Sequence, residues 1–134
     1  MIVVVEGKIK GKARPRFNTK TGRAFTPNDT ISYENWIRYC YREQCGEMLE
    51  GSIKAKIFVY YKIPKSYTKK RVELIRKGKE HPCKTPDIDN CIKIILDALN
   101  GVAYRDDKQI VEVTAIKKWT EGTERIEFLL EEIK

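Results

Sequence analysis

No stretch of this 134-residue chain approaches the ~20 apolar residues that a membrane-spanning helix needs, so none is expected. Met1 is followed at once by Ile2-Val3-Val4-Val5, with no charged segment or small-residue cleavage site. That absence of a leader pattern points to the cytoplasm. Histidine occurs once and cysteine four times, at Cys40, Cys45, Cys83 and Cys91. None of these forms a Cys-x-x-Cys pair, and the spacings match no zinc pattern. A zinc site of Cys83 and His81 with Cys40 or Cys45 is therefore set aside, and free, semi-buried thiols are expected. No internal repeat, low-complexity tract or linker rich in Pro, Gly or Ser interrupts the chain. A single domain over residues 1–134 follows, long enough for a sizeable core.

What is present is charge, unevenly placed. The net charge is +8. Residues 1–86 carry 20 Lys/Arg against 8 Asp/Glu, whereas residues 87–134 carry 7 against 11. A basic portion followed by an acidic one suits a polyanion drawn in by the basic surface and met by a metal. An anionic membrane would leave the acids without a role.

The β-branched run 2–9, IVVVEGKI, reads as a first strand. Residues 10–28 hold Lys10, Lys12, Arg14, Arg16, Lys20 and Arg23 and no acid. Their glycines and prolines argue against helix, and a basic loop contacting phosphates is expected, with Phe17 and Phe25 among the charges. A helix is predicted from Asp29 or Thr30 to about Gly46. Residues 52–63, SIKAKIFVYYKI, alternate as a half-covered strand. A second helix, roughly 67–78, carries Lys69, Lys70, Arg71, Arg76 and Lys77. It is a solvated surface helix, a second phosphate-facing element or part of a dimer contact. Residues 109–119 read as a strand, and 124–133 as its hairpin partner across Glu121-Gly122-Thr123. The order β, loop, α, β, α, α, β, β predicts an α/β domain with one mixed sheet of about four strands packed with helices.

The chemistry concentrates in residues 85–107, TPDIDNCIKIILDALNGVAYRDD. Ile92, Ile95, Leu96 and Leu99 form a helical stripe. Asp89, Lys93 and Asp97, each four apart, line another face. Asp87 and Asp89 have a plain explanation as N-cap and first-turn acids, which covers one acid well and the pair less well. Asn100-Gly101 stops the helix. Asp106 and Asp107 precede the next strand, where adjacent aspartates can simply make a turn. If that strand packs beside the helix start, Asp106 or Asp107 can approach Asp87 and Asp89. Carboxylates sharing a pocket repel unless a cation lies between them, and a hard divalent ion accepts such oxygens while leaving positions for phosphate. That arrangement supports hydrolysis of a phosphodiester. Lys93 is then placed to stabilise developing negative charge, against the plain alternative of an ion pair with Asp89 or Asp97.

The segment resembles the signature of the RusA family of Holliday junction resolvases. The matching residues are Pro86, Asp87, Asp89, Asn90, Lys93, Asp97-Ala98-Leu99 and Asp106-Asp107-Lys108-Gln109, with KARPRF and FTPNDTISYENW nearer the start. The resemblance implies a homodimeric, Mg²⁺-dependent endodeoxyribonuclease, with Mn²⁺ as a substitute. Such an enzyme nicks four-way DNA junctions symmetrically and leaves 5′-phosphate and 3′-hydroxyl ends. It needs no nucleotide cofactor and no membrane. Asp87, Asp89 and Asp107 match the family's metal ligands, Asp106 is left open as a further one, and Lys93 matches the catalytic lysine. Lys12, Arg14, Arg16, Arg23, Lys69, Lys70, Arg76 and Lys84 are the candidate DNA contacts. Some family members carry a basic residue just before the first motif aspartate, where Pro86 stands here. The competing expectations are a less selective branched-DNA nuclease and a non-catalytic basic DNA-binding module.

Overall fold

The computed structural model describes residues 1–12, 16–18, 20–25 and 28–134, with the backbone alone at 16–18, 24 and 25. Four strands make the main sheet: β1 (Val3–Glu6), β4 (Ile53–Lys62), β5 (Ile110–Thr120) and β6 (Arg125–Glu132). Their order across the sheet is β1-β6-β4-β5. β4 and β5 are parallel, while β6 runs antiparallel to both β4 and β1. The sheet is mixed, as the sequence predicts.

The alternation in β4 explains its central place. Ile53, Ala55, Ile57, Val59 and Tyr61 are buried in turn, and the intervening lysines and aromatics lie on the other face. Ile126 and Phe128 of β6 and Val3 and Val5 of β1 complete the apolar face. Against it pack α1 (Asn28–Gln44) and α3 (Ile88–Ala98). The buried side of α3 is Cys91, Ile94, Ile95, Ala98 and Leu99, and Ile92 and Leu96 are only half-buried beside it. The apolar stripe is thus turned slightly from the one predicted. α1 buries Tyr33, Ile37, Cys40 and Tyr41 but leaves Ile31, Trp36 and Tyr39 exposed.

Two expectations are corrected. The loop at 10–28 contains a short antiparallel hairpin, β2 (Arg16–Asn18) with β3 (Arg23–Phe25). Gly22, at φ +69°, makes its turn. Glycine and proline exclude helix there but not a hairpin of three-residue strands. The second correction is that β5 and β6 are not partners. The connection steps over the end of β4, where Glu124 accepts hydrogen bonds from the backbone of Lys62 and of Ile9, both at 3.0 Å. β6 then lies on the far side of β4, which is where Ile126 and Phe128 can join the core. A crossover through α2 (Lys69–Arg76) and α3 accounts for β5 being parallel to β4.

α2 begins at its N-cap Thr68, whose hydroxyl accepts from Arg71 N at 3.2 Å, and ends before Gly78, at φ +74°. Only Ile75 of this helix is buried, so its cations lie at the surface. All four cysteines are free; Cys83 is exposed and Cys40 and Cys91 are buried. No helix among the described residues is long and apolar enough to cross a membrane.

Candidate active site

Helix α3 positions most of the site. Its start is held by three contacts. The Tyr61 hydroxyl donates to Pro86 O at 2.6 Å, and Lys12 N donates to Asn90 O at 3.0 Å. Gly11 lies against the same turn, where an added Cβ would come within 2.8 Å of Pro86 Cβ and 2.9 Å of Asn90 Cβ. Gly11→Ala is therefore expected to push the α3 start away and cost about 1–3 kcal/mol of stability. Urea unfolding of the variant checks this, and an unchanged midpoint would contradict the close approach.

Asp87 is the N-cap of α3, yet its carboxylate makes no capping hydrogen bond. Asp89 follows in the first turn, and both acids are exposed. Among the described residues neither has a hydrogen-bond or ion-pair partner. The plain capping explanation does not account for Asp87. Lys93 is also exposed, and no ion pair joins it to Asp89 or Asp97 among the described residues. The local helix thus presents two unspent carboxylates and an ammonium one turn on.

Asp107 lies elsewhere. β5 is parallel to β4, so it begins beside the end of α3 and not beside its start. Asn100 Oδ1 accepts from Asp107 N at 2.7 Å, and the Asp107 carboxyl meets that of Asp97. Asp89 and Asp97 are eight residues apart, ~12 Å of helix rise. Within one chain the structure therefore brings Asp107 to Asp97 and Asn100, and does not bring it to Asp87 or Asp89. Among the described residues, no three His, Cys, Asp or Glu side chains are grouped to hold a metal ion.

The adjacent aspartates differ in use. The Asp106 carboxylate accepts from Lys108 N at 2.9 Å, and Gln109 Oε1 accepts from Arg105 N and Asp106 N. This capping box holds the 3₁₀ turn Asp107–Gln109. The Lys108 amide, chiefly, holds the Asp106 carboxyl below its ordinary pKa. Asp107 is shifted the other way, by burial first and then by its contact with Asp97. A carboxyl with a raised folded pKa favours the fold at low pH, and that contribution is lost as pH rises through the raised value. Asp97→Asn removes the neighbouring charge, so Asp107 is expected to titrate closer to the ordinary carboxylate value. Carboxyl NMR titration of the metal-free protein reads this directly, and an unmoved midpoint would rule out Asp97 as the cause.

The basic candidates separate as well. Lys12 turns inward, with Nζ 3.0 Å from Glu34 and 3.6 Å from Asp97. Its charge is spent on buried Glu34 and on the Asp97 end of α3. Arg76 makes two hydrogen bonds to Glu121, at 2.7 and 3.1 Å. Arg23, Lys69, Lys70 and Lys84 are exposed. Lys84 Nζ stands 6.0 Å from the Tyr61 ring and 5.9 Å from that of Trp119, beside the α3 start. Arg14 lies outside the described residues, as does the side chain of Arg16. The sequence reading missed Lys117, which donates to Lys84 O at 2.7 Å and stands over Tyr61. It missed Asn100 as the holder of Asp107. Neither carries a signal beyond its place at a strand or helix end.

The family model for endodeoxyribonuclease RusA matches residues 6–131. The chain belongs to the RusA family. RusA-family proteins are endodeoxyribonucleases that act on junction DNA, so the acids of α3 and of the Asp106-Asp107 turn stand in a nuclease of that kind. The chain is also similar to the uncharacterized protein YqaN of Bacillus subtilis (strain 168). The two are 29% identical over 134 residues, covering 96% of this chain and 94% of YqaN.

Proposed function

We propose that this RusA-family protein is a Mg²⁺-dependent, structure-selective endodeoxyribonuclease. It resolves four-way junctions by paired symmetric nicks during recombination and repair in the cytoplasm. It works as a homodimer, and Mn²⁺ can replace Mg²⁺. The observation that carries the reading is the α3 start: Asp87 at the N-cap with no capping hydrogen bond from its carboxylate, Asp89 beside it, and Lys93 one turn on, with no ion-pair partner among the described residues.

The donors suit a hard cation, because carboxylate oxygens are what Mg²⁺ takes while it keeps water and phosphate positions. Asp87, Asp89 and Asp107 would hold it, and Asp106 is turned to capping its own turn. When bound, the ion supplies an activated water and charge neutralisation at the phosphate. Lys93 stabilises negative charge on the scissile phosphate. Exposed Arg23, Lys69, Lys70 and Lys84 contact the DNA backbone. Water adds to the scissile phosphorus and the P–O3′ bond breaks, with O3′ taking up a proton, so the cut leaves 5′-phosphate and 3′-hydroxyl ends. The acid ends of α3 are separated in one chain, so the reading assigns their union to the dimer. One copy contributes the α3 start and the other its Asp107.

The test is cleavage of a synthetic mobile four-way junction with Mg²⁺, mapped on all four strands against forked and linear controls. Paired cuts at opposed positions on the junction alone support the reading. Equal cutting of forked DNA supports a less selective branched-DNA nuclease. Tight binding with no cut in Mg²⁺ or Mn²⁺ supports a non-catalytic DNA-binding module, which the separation of the acids within one chain also fits.

A further inference from the structure

The two edges of the main sheet are treated differently. At the β1 edge, Gln44 hydrogen-bonds both backbone groups of Val4, each at 2.7 Å, and the Trp36 indole donates to Glu6 O at 2.8 Å. Side chains thus occupy that edge. β5, the other edge, is 11 residues long. Among the described residues, no side chain or loop hydrogen-bonds the outer backbone of residues 111–119. A bulge opposite Ile53/Lys54 pushes Val111 outward, and Val111, Val113 and Ile116 are 62%, 39% and 41% exposed. Long open apolar edges invite strand addition, and proteins ordinarily block them, as this one does at β1.

We infer that β5 pairs antiparallel with β5 of a second copy, about a twofold axis at Ala115, joining the two sheets into one of eight strands. Charge selects both the occupant and the register. An axis at Ala115 sets Glu112 opposite the partner's Lys118, and Lys118 opposite the partner's Glu112. An axis at Glu112 or at Lys118 would set like charges face to face. Glu112, Thr114, Ile116 and Lys118 share the sheet face away from α3, given their registers with Lys54, Lys56, Phe58 and Tyr60. The axis also places small Ala115 against its own copy. Val111 then meets the partner's Trp119, at the rim of a cavity of about 300 Å³ lined by Ile75, His81, Pro82 and Ile116. The inference rests on the homodimer of the proposed nuclease only in expecting that two copies meet; the surface is read from the edge itself.

Sedimentation equilibrium of wild type, Glu112→Lys and Lys118→Glu tests the register. Each single reversal is expected to raise the dimer dissociation constant about tenfold or more. An equimolar mixture of the two reversals restores a heterodimer as tight as wild type, since every contact is again between opposite charges. Equal dimerisation of all three proteins would overturn the register. Amide hydrogen exchange of wild type, above and below its dissociation constant, tests the surface without any variant. The β5 amides are protected in the dimer and exchange faster in the dilute monomer. A wild-type monomer at high concentration, or a dimer with unprotected β5, overturns the inference. Junction cleavage measured on the same samples separates the two claims. A β5 dimer that never cuts DNA defeats the nuclease reading alone, and a cutting enzyme with unprotected β5 defeats this inference alone.

Discussion

Asp89→Asn is expected to abolish Mg²⁺-dependent junction cleavage, by about 10³-fold, on the scale of removing one major electrostatic contributor to a transition state. Junction affinity should stay within about threefold, because phosphate contacts to cations dominate it. The substitution keeps the shape of the side chain and removes only its charge. Asp89 is exposed and has no hydrogen-bond or ion-pair partner among the described residues, so no network collapses with it. The helix start loses only a favourable dipole interaction, ~0.3–1 kcal/mol. Gel-shift titration without divalent metal gives the affinity, and a time course with Mg²⁺ gives the rate. Cleavage within tenfold of wild type would remove Asp89 from the chemistry, and with it the residue that best distinguishes the α3 start from an ordinary helix cap.

Mixing two dead variants is the second test, and its signal rises from a background near zero. Asp89→Asn and Asp107→Asn are each expected to be inactive as homodimers. If a site unites the α3 start of one copy with Asp107 of the other, a heterodimer of the two variants has one site with both defects and one with neither. With free exchange, half of the dimers are mixed and each has one working site of two, giving about a quarter of the wild-type nicking rate. The products should be single nicks and not paired cuts, since the second site of each mixed dimer is empty of both acids. Co-refolding from urea and strand mapping read both quantities. No recovery on mixing, with heterodimer formation verified by mass spectrometry, would place all the acids of a site in one chain. The helix and the 3₁₀ turn would then have to move toward one another by most of the ~12 Å that α3 rises between Asp89 and Asp97.

How much of this was legible beforehand differs from residue to residue. Asp89 and Lys93 could be related without a structure, because one helical turn sets their spacing and face, and Asp87 could be placed beside them only as the residue that opens the helix. Thr68, Gly78 and Asn100-Gly101 marked helix ends through their own backbone and capping preferences, and the helices begin or end there. The strands showed as period-two alternation in β4. The β5–β6 hairpin was misread because a short connection looks alike whether its strands pair or step across a third. Lys12 was legible as a cation and not as the partner of Glu34 and Asp97, since those contacts span 22 and 85 positions in sequence.

The sequence by itself determined the family, the α/β class with a mixed sheet, and the face of α3 that carries Asp89, Lys93 and Asp97. All of these are carried by local periodicity or by a continuous motif. Only the tertiary structure decided where Asp107 lies, which acid spends its oxygens on a cap, and which edge of the sheet is left open. Those depend on strand order. Once β5 runs parallel to β4 on its outer side, it enters beside the end of α3, delivers Asp107 to Asp97, and leaves its own outer backbone unpaired among the described residues.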